Sequence, residues 1–191
     1  MSTTEPIRSK EKLSQIKNYY REVVPEERNY ALIVLGLNTA LRISDILRLH
    51  VSDVWNFERS RFKNHIEITE GKTGKQTSVY INKEVRLALA GCRLNEKEKN
   101  AFLFESHKYK NMPLSRYQAY RIIKAAAAYA GIPEHISCHS LRKTFGYHAW
   151  KQKVPPAMLM DIYNHSSYQI TKRYLGITQD DRDQVFATIR L

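Results

Sequence analysis

The chain has 191 residues, with 31 lysines and arginines against 19 aspartates and glutamates, a formal net charge of +12. A chain of this length fits one domain that buries roughly 70% of its unfolded surface, so it needs no disulfide or metal to hold a core. Its two cysteines, Cys92 and Cys138, form no CxxC pair, and no apolar run approaches the ~20 residues that span a bilayer. The polar start lacks the apolar stretch of a signal peptide, so we expect a cytoplasmic protein without membrane contact. The positive charge fits a basic surface without a specific partner, and it also fits nucleic-acid binding.

The apolar periodicity predicts a mainly α fold with a small antiparallel β-sheet, an α+β architecture. Residues 1–9 are predicted to form a flexible tail, and residues 10–191 a single domain. Two alternating segments, 65–69 and 77–81, flank the Gly-rich sequence GKTGK and predict a β-hairpin. Residues 93–100 are expected to form an exposed loop and residues 101–104 a short buried segment. Helices are predicted at 10–22, 25–37, 43–54, 82–92, 114–130, 139–151, 157–163, 168–175 and 179–189.

Three separate segments carry residues suited to phosphate chemistry. Arg42 lies in LRISD, and His139 and Arg142 are three positions apart in HSLR. Residues with this spacing share one helix face, so both side chains can approach one anion near a helix N-terminus. His165 and Tyr174 follow, nine positions apart. Taken singly, each residue has a plainer interpretation: Arg42 as an ion-pair partner of Asp45, HxxR as a solvated basic face, and His165 as a structural histidine.

The order and spacing of these segments resemble the catalytic domain of the tyrosine recombinase (phage integrase) family, a group of DNA breaking-rejoining enzymes. The resemblance runs from about Lys10 to the C-terminus. Two positions depart from the family pattern: Asn164 and Ala40 stand where glycine is usual. The matched catalytic positions are Arg42, Lys72, His139, Arg142, His165 and Tyr174.

The resemblance implies a role for each matched residue. Arg42 and Arg142 grip the scissile phosphate through permanently charged, planar guanidinium groups. Tyr174 attacks phosphorus to form a 3′-phosphotyrosine, while His139 manages its proton and His165 donates a hydrogen bond to the phosphate. Lys72 protonates the departing 5′-oxygen. Because the phosphotyrosine conserves the bond energy, no cofactor and no metal are expected.

Several alternatives remain open from the sequence. Tyr163 and Tyr168 compete with Tyr174 as the nucleophile, and Lys75 competes with Lys72 as the acid. Asp45 is expected to support the site from behind, or simply to favour a helix start. The function itself has two rivals, a type IB topoisomerase and a DNA-binding protein that no longer cuts.

The resemblance also sets expectations about domains and partners. Family members usually carry an N-terminal core-binding domain, for which 191 residues leave no room. The implied partner is double-stranded DNA, with the protein monomeric when free and assembled on DNA as a tetrameric synapse, with possible accessory DNA-bending proteins. Val185, Phe186, Ile189 and Leu191 give the last predicted helix an apolar face. This helix can fold back on its own domain or pack in trans, with Gly176 as a hinge and Thr178 as a cap.

Overall fold

The computed structural model describes residues 4–177 and 179–190. Within that part the fold is mainly helical with small antiparallel sheets, as predicted. The last three helices follow the predicted bounds to within one residue. The described α-helices are α1 Lys10–Asn18, α2 Glu27–Asn38, α3 Ile43–Ile46, α4 Val51–Val54, α5 Lys83–Ala90, α6 Arg116–Tyr129, α7 Cys138–Lys151, α8 Pro156–Ile162, α9 Tyr168–Leu175 and α10 Gln179–Thr188.

The predicted β-hairpin is confirmed. Strand β3 (His65–Thr69) pairs antiparallel with β4 (Gln76–Tyr80), and Ile66 lies opposite Val79. The alternating sequence buries Ile66 completely and leaves its neighbours in the strand at the surface. The turn between the strands closes at Gly74, whose φ of +68° is one that residues with a Cβ rarely adopt. A smaller two-stranded sheet of β1 (Trp55–Asn56) and β2 (Arg61–Phe62) precedes this hairpin and was not predicted.

The predicted helix over 43–54 is wrong in its middle. The chain leaves the helix after Ile46 and resumes at Val51, which produces the short helices α3 and α4. Between them the backbone pairs with the buried segment at 101–104: the amide of Leu103 donates to the carbonyl of Leu49 at 2.8 Å. This pairing supplies hydrogen-bond partners for backbone groups that would bond to each other in a continuous helix.

The predicted flexible tail over residues 1–9 is also corrected for its described part. Ile7 is 2% exposed, and its amide donates to the hydroxyl of Thr144 at 2.8 Å. The carbonyl of Ile7 contacts the ring of His148 at 2.9 Å. The buried side chain of Ile7 and its two backbone groups therefore hold this segment against α7. Residues 1–3 lie outside the described residues.

Two hydrophobic clusters organise the interior. The main cluster extends over buried residues between Ile7 and Leu141, and α2 lies at its centre with Leu32, Ile33 and Leu35 fully buried. The C-terminal cluster contains the buried residues Ala40, Leu159, Tyr163 and Leu175. Helix α7 lies between the two and contacts α2 on one side and α9 on the other. In the described part of the chain, no helix is long and apolar enough to cross a membrane.

Candidate active site

One cleft of about 1090 Å³ collects every residue predicted to be catalytic. These residues come from separate parts of the chain: the loop before α3, the β3–β4 turn, the first two turns of α7, the loop before α9, and α9 itself. The fold therefore assembles side chains that are up to 132 positions apart into one cationic site. The predicted residues that line the cleft are Arg42, Lys72, His139, Arg142, His165 and Tyr174.

Arg142 is the most tightly held of these side chains. It is 2% exposed, and its guanidinium donates through Nη1 to the carbonyl of Ala40 and through Nη2 to the carbonyl of Tyr163 at 2.9 Å. The guanidinium also lies 4.6 Å from the centre of the Tyr163 ring. Burial lowers the pKa of Arg142, and the charge of Arg42 adds to this, but an arginine stays charged in proteins. Its Nε is buried and has no hydrogen-bond partner among the described residues.

Arg42 is anchored by a different kind of partner. Its Nη1 lies 2.5 Å from Oε2 of Glu70, a carboxylate that is 1% exposed. The Arg42–Asp45 ion pair considered from the sequence does not form. Asp45 instead accepts from Nη2 of Arg48 and from the backbone amide of Gly71, both at 3.0 Å. Asp45 lines the cleft and supports the hairpin turn through the amide of Gly71.

The two histidines and Tyr174 form an aromatic group at the cleft. The centre of the Tyr174 ring lies 5.0 Å from that of His139 and 4.7 Å from that of His165. The hydroxyl of Thr171 lies 3.0 Å from Nδ1 of His165 and orients that ring. Desolvation, followed by the charges of Arg142 and other nearby cations, lowers the pKa of both His139 and His165 to about 4. Both imidazoles are therefore neutral near pH 7 in the free protein.

The competing tyrosines differ from Tyr174 in their surroundings. Tyr163 is fully buried, and its hydroxyl donates to the carbonyl of Arg142 at 2.8 Å, so it is part of the frame of the site. Tyr168 is 44% exposed and does not line the cleft. Tyr174 alone of the three lines it.

The two candidate lysines cannot be separated in the same way. Lys72 and Lys75 are both exposed, and both line the cleft from the β3–β4 turn. The amide of Gly74 donates to the carbonyl of Glu70 at 2.9 Å, and the amide of Glu70 donates to the carbonyl of Lys75 at 2.9 Å. These bonds fix the turn, and the lysine side chains extend from it.

Sequence reasoning missed several residues of the site. Arg116, Tyr117 and Tyr120 line the cleft from the start of α6, where their three- and four-residue spacing was the only signal. Glu70 was also missed, because its partner Arg42 is 28 positions away.

The two departures from the family pattern share one backbone feature. Ala40 has a φ of +56° and Asn164 a φ of +54°, so both occupy the left-handed region that favours glycine. This explains why glycine is usual there. Asn164 is tolerated in that region better than most residues, and its side chain donates to the hydroxyl of Thr77 at 2.8 Å.

Comparison with known proteins agrees with this geometry. The phage integrase family matches residues 9–180. The chain is 43% identical over 180 residues to the probable integrase/recombinase YoeC of Bacillus subtilis, covering 94% of this chain and 93% of YoeC. It is 32% identical over 164 residues to the tyrosine recombinase XerD of Corynebacterium glutamicum, covering 83% of this chain and 51% of XerD. A crystal structure of the XerH site-specific recombinase bound to its palindromic difH substrate, a post-cleavage complex, superposes with a TM-score of 0.79 and 17% identity, covering 98% of this chain and 54% of that one.

The chain belongs to the phage integrase family, and its enzyme class is that of the tyrosine site-specific recombinases. This membership favours recombination over the two rivals, DNA relaxation and DNA binding without cleavage. The chain spans nearly the whole of YoeC but about half the length of XerD.

Proposed function

We propose that this protein cuts and rejoins double-stranded DNA at specific sites through a covalent 3′-phosphotyrosine at Tyr174, in DNA integration, excision or inversion. The observation that carries the proposal is the convergence of all six matched residues on one cleft. The +12 charge supports a polyanionic partner.

The two arginines bind the scissile phosphate. Arg142 has its guanidinium held against two carbonyls, with Nε unpartnered among the described residues, and Arg42 is held by Glu70. Both groups are fixed before DNA arrives, so little reorganisation accompanies the reaction. Fixed positive charge in a partly desolvated cleft stabilises the extra negative charge of the transition state.

Cleavage is an exchange of one ester for another. The phenolic oxygen of Tyr174 forms a bond to phosphorus, and the bond between phosphorus and the 5′-oxygen breaks. The tyrosine proton passes to His139, whose lowered pKa leaves its ring neutral and able to accept it. Lys72 supplies a proton to the departing 5′-oxygen, and His165 donates a hydrogen bond to the phosphate. Attack by the 5′-hydroxyl of another strand reverses these steps and restores Tyr174.

Assembly on DNA is part of the proposal. Val185 and Phe186 of α10 are 53% and 79% exposed, and Ile189, which directly follows the helix, is 59% exposed. Lys151 of α7 pairs with Asp181 at 2.6 Å near the start of the helix. An apolar face left open on the free chain supports packing in trans within a DNA-bound oligomer, a tetrameric synapse, with the free protein monomeric. Accessory DNA-bending proteins belong to the same proposal. Thr178 and Leu191, named with this helix in the sequence, lie outside the described residues.

The test is covalent capture on a nicked suicide substrate. Cleavage releases a short fragment that carries the free 5′-hydroxyl, and its loss by diffusion prevents rejoining. The unaltered protein should form an adduct that survives denaturation. Tyr174→Phe should form none while binding DNA normally, because it lacks one hydroxyl and keeps the charge and the ring. Tyr168→Phe is the matched control and should form the adduct at the normal rate. An adduct formed by Tyr174→Phe would contradict the assignment.

The proposed role of Lys72 as the general acid is tested by changing the leaving group of the substrate. Lys72→Ala should slow capture by on the order of 100-fold or more, because the 5′-oxygen then leaves without its proton. A substrate with sulfur at the bridging 5′ position needs no proton to leave and should restore the rate. If the sulfur substrate restored the capture rate of Lys75→Ala and not that of Lys72→Ala, Lys75 would be the general acid.

A further inference from the structure

A carboxylate lies buried directly behind the cationic cleft. Glu70 directly follows strand β3 and is 1% exposed, and it does not line the cleft itself. Burying an ionised carboxylate is costly unless it is paired and hydrogen-bonded. A negative charge near a site that binds phosphate weakens the attraction for phosphate. The hydrogen-bond partners of Glu70 therefore indicate what its carboxylate contributes.

One oxygen of Glu70 joins two parts of the site. Oε2 accepts from Nη1 of Arg42 at 2.5 Å and from the hydroxyl of Thr73 at 2.6 Å. Arg42 comes from the loop before α3, whereas Thr73 directly follows Lys72 in the β3–β4 turn. Among the described residues, Glu70 is the one side chain that hydrogen-bonds Arg42. The contact therefore fixes the distance between the phosphate-binding arginine and the turn that carries the candidate acid.

The carboxylate is charged at neutral pH. Burial alone would raise the pKa of Glu70, but the hydrogen bonds from Thr73 and Arg42 outweigh it and hold the pKa below its ordinary value. An arginine has five N–H donors, so the bond through Nη1 leaves others for a phosphate. Glu70 and a DNA phosphate can therefore occupy Arg42 at the same time.

We propose that Glu70 is a positioning residue for strand cleavage: its buried carboxylate holds the Arg42 guanidinium and the Lys72 turn as one unit, so that phosphate binding and protonation of the 5′-oxygen occur in register. This rests on the proposed roles of Arg42 and Lys72. Glu70 itself contacts neither the cleft nor the reacting atoms.

The test compares Glu70→Ala with Glu70→Gln, which keeps the shape and one acceptor but removes the charge. The matched control is Glu67→Gln, at an exposed carboxylate of strand β3 that accepts from Ser78 at 2.7 Å. Each 191-residue variant is assayed for its single-turnover rate of covalent capture, its DNA affinity and its melting temperature. Capture is measured on an ordinary nicked substrate and on one with sulfur at the 5′-bridging position.

Glu70→Ala should slow capture of the ordinary substrate by on the order of 100-fold, since misplacing a catalytic group by about 1 Å has that effect. Glu70→Gln should lose less, and Glu67→Gln should match the unaltered protein. The sulfur substrate should recover the part of the loss that arises from Lys72, so the defect should shrink to about 10-fold on it. DNA affinity should change little.

Three results would overturn the proposal. Faster capture in Glu70→Gln would make the carboxylate a competitor for Arg42 rather than its support. An equal defect on both substrates would mean that Lys72 is not positioned through Glu70. Normal capture by both variants would remove Glu70 from the reaction. Failure of the unaltered protein to form any adduct is distinct from these, because it refutes the proposed function and the role of Glu70 with it.

Discussion

The two halves of the candidate site are supported by hydrophobic clusters of very different size. Arg42 and the turn with Lys72 adjoin the main cluster, in which α2 contributes a run of fully buried side chains. Tyr174 is carried by α9, whose interior is the C-terminal cluster of four buried residues. Arg142 of α7 donates to the carbonyls of Ala40 and Tyr163, two members of the C-terminal cluster. Because Ala40 lies two positions before Arg42, Arg142 links the two halves.

The difference suggests a division of labour. Local opening is cheaper where few apolar contacts must be broken, so α9 should open at a lower free energy than α2. The half proposed to bind phosphate is then fixed in advance, while the proposed nucleophile is held by a segment that responds to what binds beside it. The exposed apolar side chains of α10, which follows α9 in the chain, fit this account.

A matched pair of substitutions tests the comparison with the largest expected effect. Leu35 of the main cluster and Leu175 of the C-terminal cluster are both 0% exposed. Leu35→Ala should lower the free energy of unfolding by about 2–5 kcal/mol, as deletions in a large core do. Leu175→Ala should cost less in urea unfolding but slow covalent capture more, because it loosens the helix that carries Tyr174.

Hydrogen exchange separates the two cases. Leu175→Ala should raise exchange in α9 and leave α2 protected, whereas Leu35→Ala should raise exchange throughout. Equal losses of global stability, with the same exchange pattern in both variants, would contradict the division into two halves.

A smaller effect is expected where α7 meets the C-terminal cluster. A Cβ added at Gly146 would lie 2.4 Å from the hydroxyl oxygen of Tyr163. Gly146→Ala should therefore destabilise by about 1–3 kcal/mol through overpacking and displace the carbonyl that accepts from Arg142. Adding Tyr163→Phe removes the clashing oxygen, so the double variant should recover part of the lost stability and capture rate. A single variant as stable as the unaltered protein would show that the contact relaxes without cost.

The histidines provide the mildest test, since nothing is removed from the site. In the free protein, the ring signals of His139 and His165 should titrate by NMR with midpoints near pH 4, assigned with His139→Gln and His165→Gln. Because an unfolded histidine has a pKa of ~6.5, the unfolded state binds these protons first. Their contribution to stability is therefore complete above about pH 6.5 and falls as the pH is lowered toward 4. Midpoints at the ordinary value would contradict the desolvated cationic cleft.

Local patterns predicted much of this molecule. The hairpin followed from strict alternation in HIEIT, and α9 from its apolar spacing. The candidate catalytic set came from the resemblance to the tyrosine recombinase family, whose motifs occur here in the same order and spacing. Tyr174 was preferred over Tyr163 on spacing, and the structure adds the burial of Tyr163 as an independent reason.

What was missed depends on contacts between distant segments. The break after Ile46 results from pairing with residues near Leu103, and the packing of Ile7 from a site on α7. The pairing of Arg42 with Glu70 joins residues 28 positions apart. The sequence around each of these three features is equally compatible with an unbroken helix, a loose tail or a local ion pair. Hydrophobic periodicity describes one element at a time and carries no information about contacts between distant segments.

The central claim is that Tyr174 becomes covalently bonded to DNA. The direct measurement is proteolysis of the captured adduct followed by mass spectrometry of the peptide that retains a nucleotide. The account predicts one modified residue, Tyr174, joined to the 3′ end of the cleaved strand. A nucleotide found on Tyr163 or Tyr168, a 5′ linkage, or cleavage without any covalent peptide would contradict it.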